Sequence, residues 1–271
     1  MNRELSRTQI RQIKDLAAEK LGLCRKGNDV IGLQIFSILQ QFARVIYYPL
    51  GADGPWGFTR MAGEQNTETG SSVFVVINSS IAMDCQVFAA AHELYHIWYE
   101  NTPDLIPSDL LNDQTTEINE KKANRFAAEF LVDEQLLKQE IDLQNIQDFS
   151  IKNVLRLANL FTVPYRTMAK RLFEIGKINN AQMKRLLAED NDAIKKWKKI
   201  YSIPTLIADE YIAIDNLVEL AVQAYEKQYI TYEKLEYLLD LSDLNPAELG
   251  IEQDAYFTAL SDEELEKLLE E

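Results

Sequence analysis

Two histidines and a glutamate in the run His92-Glu93-Leu94-Tyr95-His96 have the types and the spacing of a metal-dependent hydrolytic site. On a helix, residues four apart lie on one face with Cβ atoms about 5–6 Å apart, so one divalent ion can bind both imidazoles. Glu93 follows the first histidine, where a carboxylate can take a proton from a water molecule that the metal activates. The chain contains only two histidines, and random placement would give this pattern about once in a thousand chains. The run therefore predicts a metal site.

The third protein ligand must be a carboxylate or a thiolate, because a catalytic zinc usually has three protein ligands and both histidines are already used. The acidic candidates downstream are Asp104, Asp109, Asp113, Glu117 and Glu120. Glu120 is favoured because it lies on the apolar face of its predicted helix, where a carboxylate without a partner would be costly. Glu117 is interpreted as a charge that suits a helix N-terminus, with a supporting role at the metal as the alternative.

The elements that must position these residues are predicted on either side of the motif. A helix over 81–99 carries the histidines, and a second helix over 117–131 carries Glu120. Before them come β-branched and aromatic runs separated by proline and glycine, at 45–48, 57–61 and 73–77. These runs predict a small three-stranded sheet next to the motif helix.

The other segments are helical in pattern. Residues 4–20 and 29–44 have apolar residues at helical spacing before the sheet. After residue 132 the predicted helices are 151–161, 164–175, 180–189, 193–201, 209–227, 232–239 and a last one from residue 261. The predicted fold class is therefore α+β, with a small sheet packed on helices followed by an all-helical part.

Charge is distributed unevenly along the chain. The net charge is -15, but residues 151–200 carry 12 Lys and Arg against 4 Asp and Glu, whereas residues 201–271 carry 3 against 18. We therefore predict three regions: a domain over 1–145, a basic helical region over 146–202 and an acidic helical region over 203–271.

The basic region raises the question of nucleic-acid binding. Its cations could meet phosphates, and they are Arg166, Lys170, Arg171, Lys184, Arg185 and the cluster Lys195 to Lys199. The alternative is a solvated helical face, or a surface paired with the acidic end of the chain. We favour the alternative, so DNA contact is not part of the main prediction.

The sequence does not favour a membrane protein, a secreted protein or a protein stabilised by disulfide bonds. No apolar run approaches the length of about 18 residues that crosses a bilayer, and residues 1–20 lack the apolar core of a signal peptide. Cys24 and Cys85 are too few for a disulfide framework. A cytoplasmic protein without a membrane partner is predicted.

The motif and the helix downstream of it together resemble a known family. His92-Glu93-x-x-His96 is followed by Glu120-x-x-Ala123-Asn124-x-Phe126-Ala127-x-x-x-Leu131 and is preceded by an apolar strand that ends in Asn78. This combination resembles the ImmA/IrrE family of zinc metallopeptidases over roughly residues 40–175. The segment Leu157-Ala158-x-x-Phe161-x-Val163-Pro164-x-x-x-Met168-Ala169-x-Arg171-Leu172 is similar to the helix-turn-helix-like portion that follows the peptidase core in that family.

The resemblance implies a zincin-like N-terminal domain, a helix-turn-helix-like region after it, and cleavage of a DNA-binding repressor. His92, His96 and Glu120 would bind one catalytic Zn2+, and Glu93 would be the general base. The chain departs from the family at Tyr95, where a glycine is common, and at Asp133, where a proline is common. These departures bear on substrate preference more than on metal binding, and manganese or another divalent ion could use the same ligands.

Two functions stay open from the sequence. The first is a peptidase that cleaves a transcriptional repressor or an antitoxin, and the second is a regulator that keeps the zinc fold but binds a repressor or DNA without cutting it. The intact Glu93 favours the enzyme, because a binding module has no chemical need for it. The oxyanion of the reaction requires a further donor, for which Tyr95, Tyr48 and Arg125 are weak candidates.

Overall fold

The structure of the chain, a computed structural model, describes residues 4–61, 73–99, 106–107, 118–205 and 210–252. The chain divides into two compact units, Met1–Tyr211 and Ile212–Glu271. Unit 1 contains the motif helix, the sheet and the basic helices, and unit 2 is the acidic end of the chain.

In unit 1 two helices come first, short strands and the motif helix follow, and the rest is helical. Its helices in the described residues are α1 (Arg7–Leu23), α2 (Gln34–Leu39), α3 (Met83–Tyr99), α4 (Ile118–Leu131), α5 (Glu134–Leu143), α6 (Ile151–Phe161), α7 (Tyr165–Glu174), α8 (Asn180–Leu187) and α9 (Asn191–Ile200). Its strands are β1 (Arg44–Tyr48), β2 (Gly57–Met61), β3 (Val73–Asn78) and β4 (Ile106–Pro107).

The sheet of unit 1 is mixed, with the strand order β4-β2-β3-β1. β1 runs parallel to β3, with Val45 opposite Val75. β2 runs antiparallel to both of its neighbours, with Thr59 opposite Val75 of β3 on one side and opposite Ile106 of β4 on the other. The backbone of Thr59 is therefore held between two strands.

Asn78 fixes the turn that leads from β3 into the motif helix. Its side chain is fully buried, and Oδ1 accepts hydrogen bonds from the backbone N–H of Leu50 (3.0 Å) and of Ser80 (2.9 Å). Its Nδ2 donates to the carbonyls of Gly51 (2.8 Å) and Pro55 (3.0 Å). Both ends of the amide are thus satisfied, and the loop before β2 is tied to the start of α3.

The motif helix α3 lies in the middle of the core. All of its residues from Gln86 to His96 are buried. It packs on α4, on α2 and on strands β2 and β3, and α1 also packs on α4. Any polar side chain in this stretch must find a partner inside the protein, because burial without one is costly.

The apolar side chains of the region after α5 belong to the same buried core as those of α3 and α4. α6 ends at Phe161, its C-cap Thr162 has a left-handed backbone (φ 52°), and α7 begins at Tyr165, directly after Pro164. α6 packs on α7 and α7 packs on α8. The two helices with the short turn between them match the helix-turn-helix-like pair that the sequence predicted.

Unit 2 is small. It contains β5 (Ala213–Ile214), α10 (Leu217–Glu226), α11 (Tyr232–Asp240) and a 3-10 helix (Pro246–Leu249). α10 and α11 pack around the buried side chains of Ala221, Leu235 and Leu239. Thr231 caps α11 by accepting a hydrogen bond from the N–H of Lys234 (3.3 Å).

The predicted α+β class is confirmed, and the short strand β4 extends the three strands that were expected. The helix predicted over 29–44 is wrong in extent, because Gly32 has a positive φ of 47° and Arg44 already pairs with Phe74 in the sheet. The helix predicted over 209–227 begins only at Leu217, after a left-handed Asn216. The helix expected from residue 261 lies outside the described residues, and the division into 1–145, 146–202 and 203–271 stays a prediction.

Within the described residues, no helix combines the length and the apolar composition needed to cross a bilayer.

Candidate metal centre

His92 and His96 lie one helical turn apart on α3 and point to the same place. Their Nε2 atoms are 3.0 Å apart and their ring centroids 4.9 Å apart. Both side chains are buried, with exposures of 0% and 1%. The spacing of four residues therefore gives the shared face that the sequence predicted.

Glu120 comes from α4 to the same place. Its Oε2 lies 3.2 Å from Nε2 of His92, and its Oε1 lies 3.5 Å from Nε2 of His96. The ligand atoms of these three buried residues all lie within 4.8 Å of one another, so the group could hold a metal ion. Burial raises the pKa of Glu120, but the hydrogen bond from His92 and the charge interactions with both histidines, which protonated imidazoles would supply, outweigh this effect, so the net pKa lies below the ordinary value.

Asn124 orients the first imidazole. Its Oδ1 lies 3.1 Å from Nδ1 of His92, and an amide oxygen can only accept, so Nδ1 carries the hydrogen. In the neutral ring, Nε2 then presents a lone pair toward Glu120, whose carboxylate also presents lone pairs. Acceptors that converge in this way fit a cation between them, and two imidazoles with one carboxylate suit zinc.

Glu93 is fully buried beside this group. Its Oε2 accepts a hydrogen bond of 2.8 Å from Oγ1 of Thr59 on β2. Two residues earlier on the same strand, a Cβ added to Gly57 would lie 3.5 Å from Oε1 of Glu93 and only 2.9 Å from the carbonyl oxygen of Val76. The contact with the Val76 carbonyl is too short for a real Cβ, so the close approach of β2 to β3 at this point requires glycine at position 57, whereas the distance to Glu93 is an ordinary van der Waals contact.

Comparison with known protein families identifies a domain in the segment that contains these residues. Residues 43–173 match the model of the Peptidase_M78 family, which is described as the IrrE N-terminal-like domain. This segment is an IrrE N-terminal-like domain. The family resemblance seen in the sequence is therefore confirmed, and the domain is of the metallopeptidase type. Neither the curated proteins nor the solved structures compared with the chain gave a match.

The IrrE N-terminal-like domain begins at β1 and ends within α7. It includes His92, Glu93, His96 and Glu120, and it also includes the pair of helices α6 and α7. Helix α1 lies before the domain in sequence, although it packs on α4, the helix that carries Glu120.

The other candidate metal ligands lie outside the described residues, and the three candidate oxyanion donors differ in exposure and contacts. The candidates Asp104, Asp109, Asp113 and Glu117 lie outside the described residues. Tyr95 is 5% exposed, and its ring lies 5.9 Å from that of His96. Tyr48 is 45% exposed at the end of β1, and Arg125 binds Glu129 and Glu174. The source of an oxyanion donor stays a prediction.

Sequence reasoning missed the role of two residues of the IrrE N-terminal-like domain. Thr59 lies in a strand whose composition predicted only a sheet, and nothing near it in sequence indicates that it faces Glu93. Asn124 stands in the quoted family motif and lies four residues after Glu120, so helical spacing could have placed both on one face. Its contact with His92 depends on the packing of α4 on α3.

Proposed function

We propose that the protein is a zinc metallopeptidase that cleaves a DNA-binding repressor or an antitoxin in the cytoplasm and so relieves repression. The observation that carries this proposal is the convergence of His92, His96 and Glu120 next to the buried carboxylate of Glu93. A metal site alone would serve many purposes. A carboxylate held beside it serves hydrolysis.

The chain's own residues divide the work. The two imidazoles and Glu120 would hold Zn2+, and the contact of Asn124 with Nδ1 of His92 would leave the Nε2 lone pair available for the metal. When bound, zinc supplies Lewis-acid activation of the peptide carbonyl and of a water molecule. Glu93 would take a proton from the attacking water and pass it to the leaving amine.

Binding to DNA is the less favoured alternative. In a helix-turn-helix pair the second helix enters the major groove, which here is α7. Arg171 of α7 is only 1% exposed. Arg166 of α7 donates to the carbonyls of Leu187 (2.9 Å) and Glu189 (2.8 Å) near the end of α8. Both arginines are thus occupied within the protein, which supports a scaffold role for this pair.

The test is the variant Glu93→Gln, incubated with the repressor or antitoxin encoded next to the protein and analysed by intact mass for a discrete cut. We expect the variant to bind one metal ion per chain and to lose cleavage by about 10²- to 10⁴-fold, the usual contribution of general acid–base catalysis.

Glu226→Gln is the matched control, because it makes the same change at an exposed position of α10. This variant should cleave like the unmodified protein. Full cleavage by Glu93→Gln would exclude the mechanism. Binding of the repressor without any cut by the unmodified protein would favour the non-cleaving regulator.

A further inference from the structure

We propose that Thr59 is a positioning residue for the proton transfer carried out by Glu93, an inference that rests on the proposed peptidase function. The observation behind it is the hydrogen bond of 2.8 Å from Oγ1 of Thr59 to Oε2 of Glu93. Both residues are buried, with exposures of 5% and 0%. The hydroxyl therefore takes the place that water would have at an exposed carboxylate.

The strand makes this hydroxyl a rigid donor. The backbone of Thr59 is paired on both sides, with Val75 of β3 and with Ile106 of β4. Threonine is branched at Cβ, which restricts rotation about χ1. A donor fixed in this way holds the carboxylate of Glu93 in one rotation, so that its other oxygen, Oε1, keeps a constant direction.

The surroundings of Oε1 fit a carboxylate in which Oε2 is held by Thr59 and Oε1 is left for the proton transfer. Gly57 lies two residues before Thr59, on the same face of β2. Its missing side chain leaves the space beside Oε1 that a Cβ would fill at 3.5 Å. One face of β2 thus supplies a donor to Oε2 and room at Oε1.

The chemistry of a hydroxyl suits a carboxylate that must exchange a proton. A hydroxyl can donate to a carboxylate, and it can also accept from a carboxylic acid. A cation in the same position would favour the charged form alone. Thr59 can therefore keep its contact with Glu93 before and after the proton moves, without any proton transfer of its own.

The experiment compares Thr59→Val, which keeps the shape and removes the hydroxyl, with Thr59→Ser, which keeps the hydroxyl. We expect Thr59→Val to lower kcat by about 10- to 100-fold, as for a lost hydrogen bond to a charged group, with little change in KM or in zinc affinity. Thr59→Ser should restore most of kcat. Equal losses in both variants, or a loss confined to KM, would overturn the proposal.

A second measurement does not depend on cleavage. The infrared carboxylate band of Glu93 can be assigned in the zinc-loaded protein as the band that Glu93→Gln removes. Thr59→Val should shift this band, whereas Thr59→Ser should leave it near its original position. A band that stays unshifted in Thr59→Val would refute the positioning role even if no cleavable substrate exists, and a shifted band without any cleavage would count against the peptidase function alone.

Discussion

Helix α4 contributes to two groups of ionisable side chains, and the two differ in how their charge is balanced. Near the start of the helix, Glu120 faces His92 and His96 beside the buried Glu93. Near its end, Glu129 lies against Arg171 of α7, and both are at most 3% exposed. The second group contains its own cations. The first consists of two imidazoles and two carboxylates.

The second group is a closed ring of two arginines and two glutamates. Arg125 donates from Nε to Oε1 of Glu129 (3.1 Å), and its Nη1 pairs with Oε1 of Glu174 (2.8 Å). Arg171 pairs with the other oxygen of Glu129 and, at 3.2 Å, with Oε2 of Glu174. Its Nε also donates to the carbonyl of Val132 (2.9 Å). The formal charges of the ring cancel, and the ring joins α4 to α7.

The difference in charge balance distinguishes a cluster that stabilises the fold from one that could hold a metal ion. With neutral imidazoles, the four residues of the metal centre carry a formal charge of minus two, which one divalent cation would balance. The ring is complete without any ligand. A buried charged residue thus indicates function when the acceptors around it converge on a common point, and it indicates structure when the chain supplies the opposite charge.

The largest expected effect is at the metal centre. Glu120→Ala should lower zinc affinity by more than about a hundredfold, because even the outer partners of metal ligands contribute 10- to 100-fold. Zinc content after dialysis, measured by elemental analysis, checks this expectation. Asn119→Ala makes the same truncation at an exposed position of the same helix and should keep its zinc. Stoichiometric zinc of unchanged affinity in Glu120→Ala would remove Glu120 from the ligand set.

The next largest expected effect is a loss of stability when the ring of two arginines and two glutamates is broken. Arg171→Met leaves Glu129 with less opposite charge in the core, so the free energy of unfolding of unit 1 should fall by about 3–5 kcal/mol. All three tryptophans, Trp56, Trp98 and Trp197, lie in unit 1, so their fluorescence in urea reports on this unit.

The double variant Arg171→Met with Glu129→Met separates the effect of the unbalanced charge from the effect of lost packing. It removes one balanced pair and leaves the pair of Arg125 and Glu174 intact, so most of the lost stability should return, as for buried ion pairs replaced by apolar residues. A double variant as unstable as Arg171→Met alone would show that the loss comes from packing rather than from the unbalanced charge.

The sequence predicted those parts of the site that local periodicity encodes. His92 and His96 share a face because they are four residues apart, and Glu120 was favoured because it falls on the apolar side of its helix. The β-branched and aromatic run at 73–77 likewise predicted a strand, which is β3. These features depend on neighbours within one or two helical turns, which the sequence alone displays.

The sequence did not predict the contacts between elements. Thr59 and Glu93 are 34 residues apart, His92 and Asn124 are 32 apart, and Glu129 and Arg171 are 42 apart. Arg171 was therefore counted with the basic surface, although it is one of the largest fully buried side chains. Which side chains meet depends on how α3, α4, α7 and β2 pack, and no period within a single element carries that information.

The smallest expected loss of stability is at the partly exposed ion pairs of Glu134. Glu134 of α5 is about one quarter exposed and binds Lys138 and also Lys14 of α1. Hydrogen bonds to Lys138 and Lys14 lower the pKa of Glu134 from 4.5 to about 2. Because the pKa is lower in the folded state, this stabilisation is present above pH 4.5 and is lost as the pH falls toward 2.

Glu134→Gln should therefore reduce the free energy of unfolding by less than about 1 kcal/mol at pH 7, because solvent screens partly exposed pairs. The difference from the unmodified protein should shrink between pH 4.5 and 2, and 1 M salt should weaken it at pH 7. Salt should change the deficit of Arg171→Met far less, because Arg171 and Glu129 are buried. A Glu134→Gln deficit that is independent of both pH and salt would mean that α1 is held on α5 by packing instead of charge.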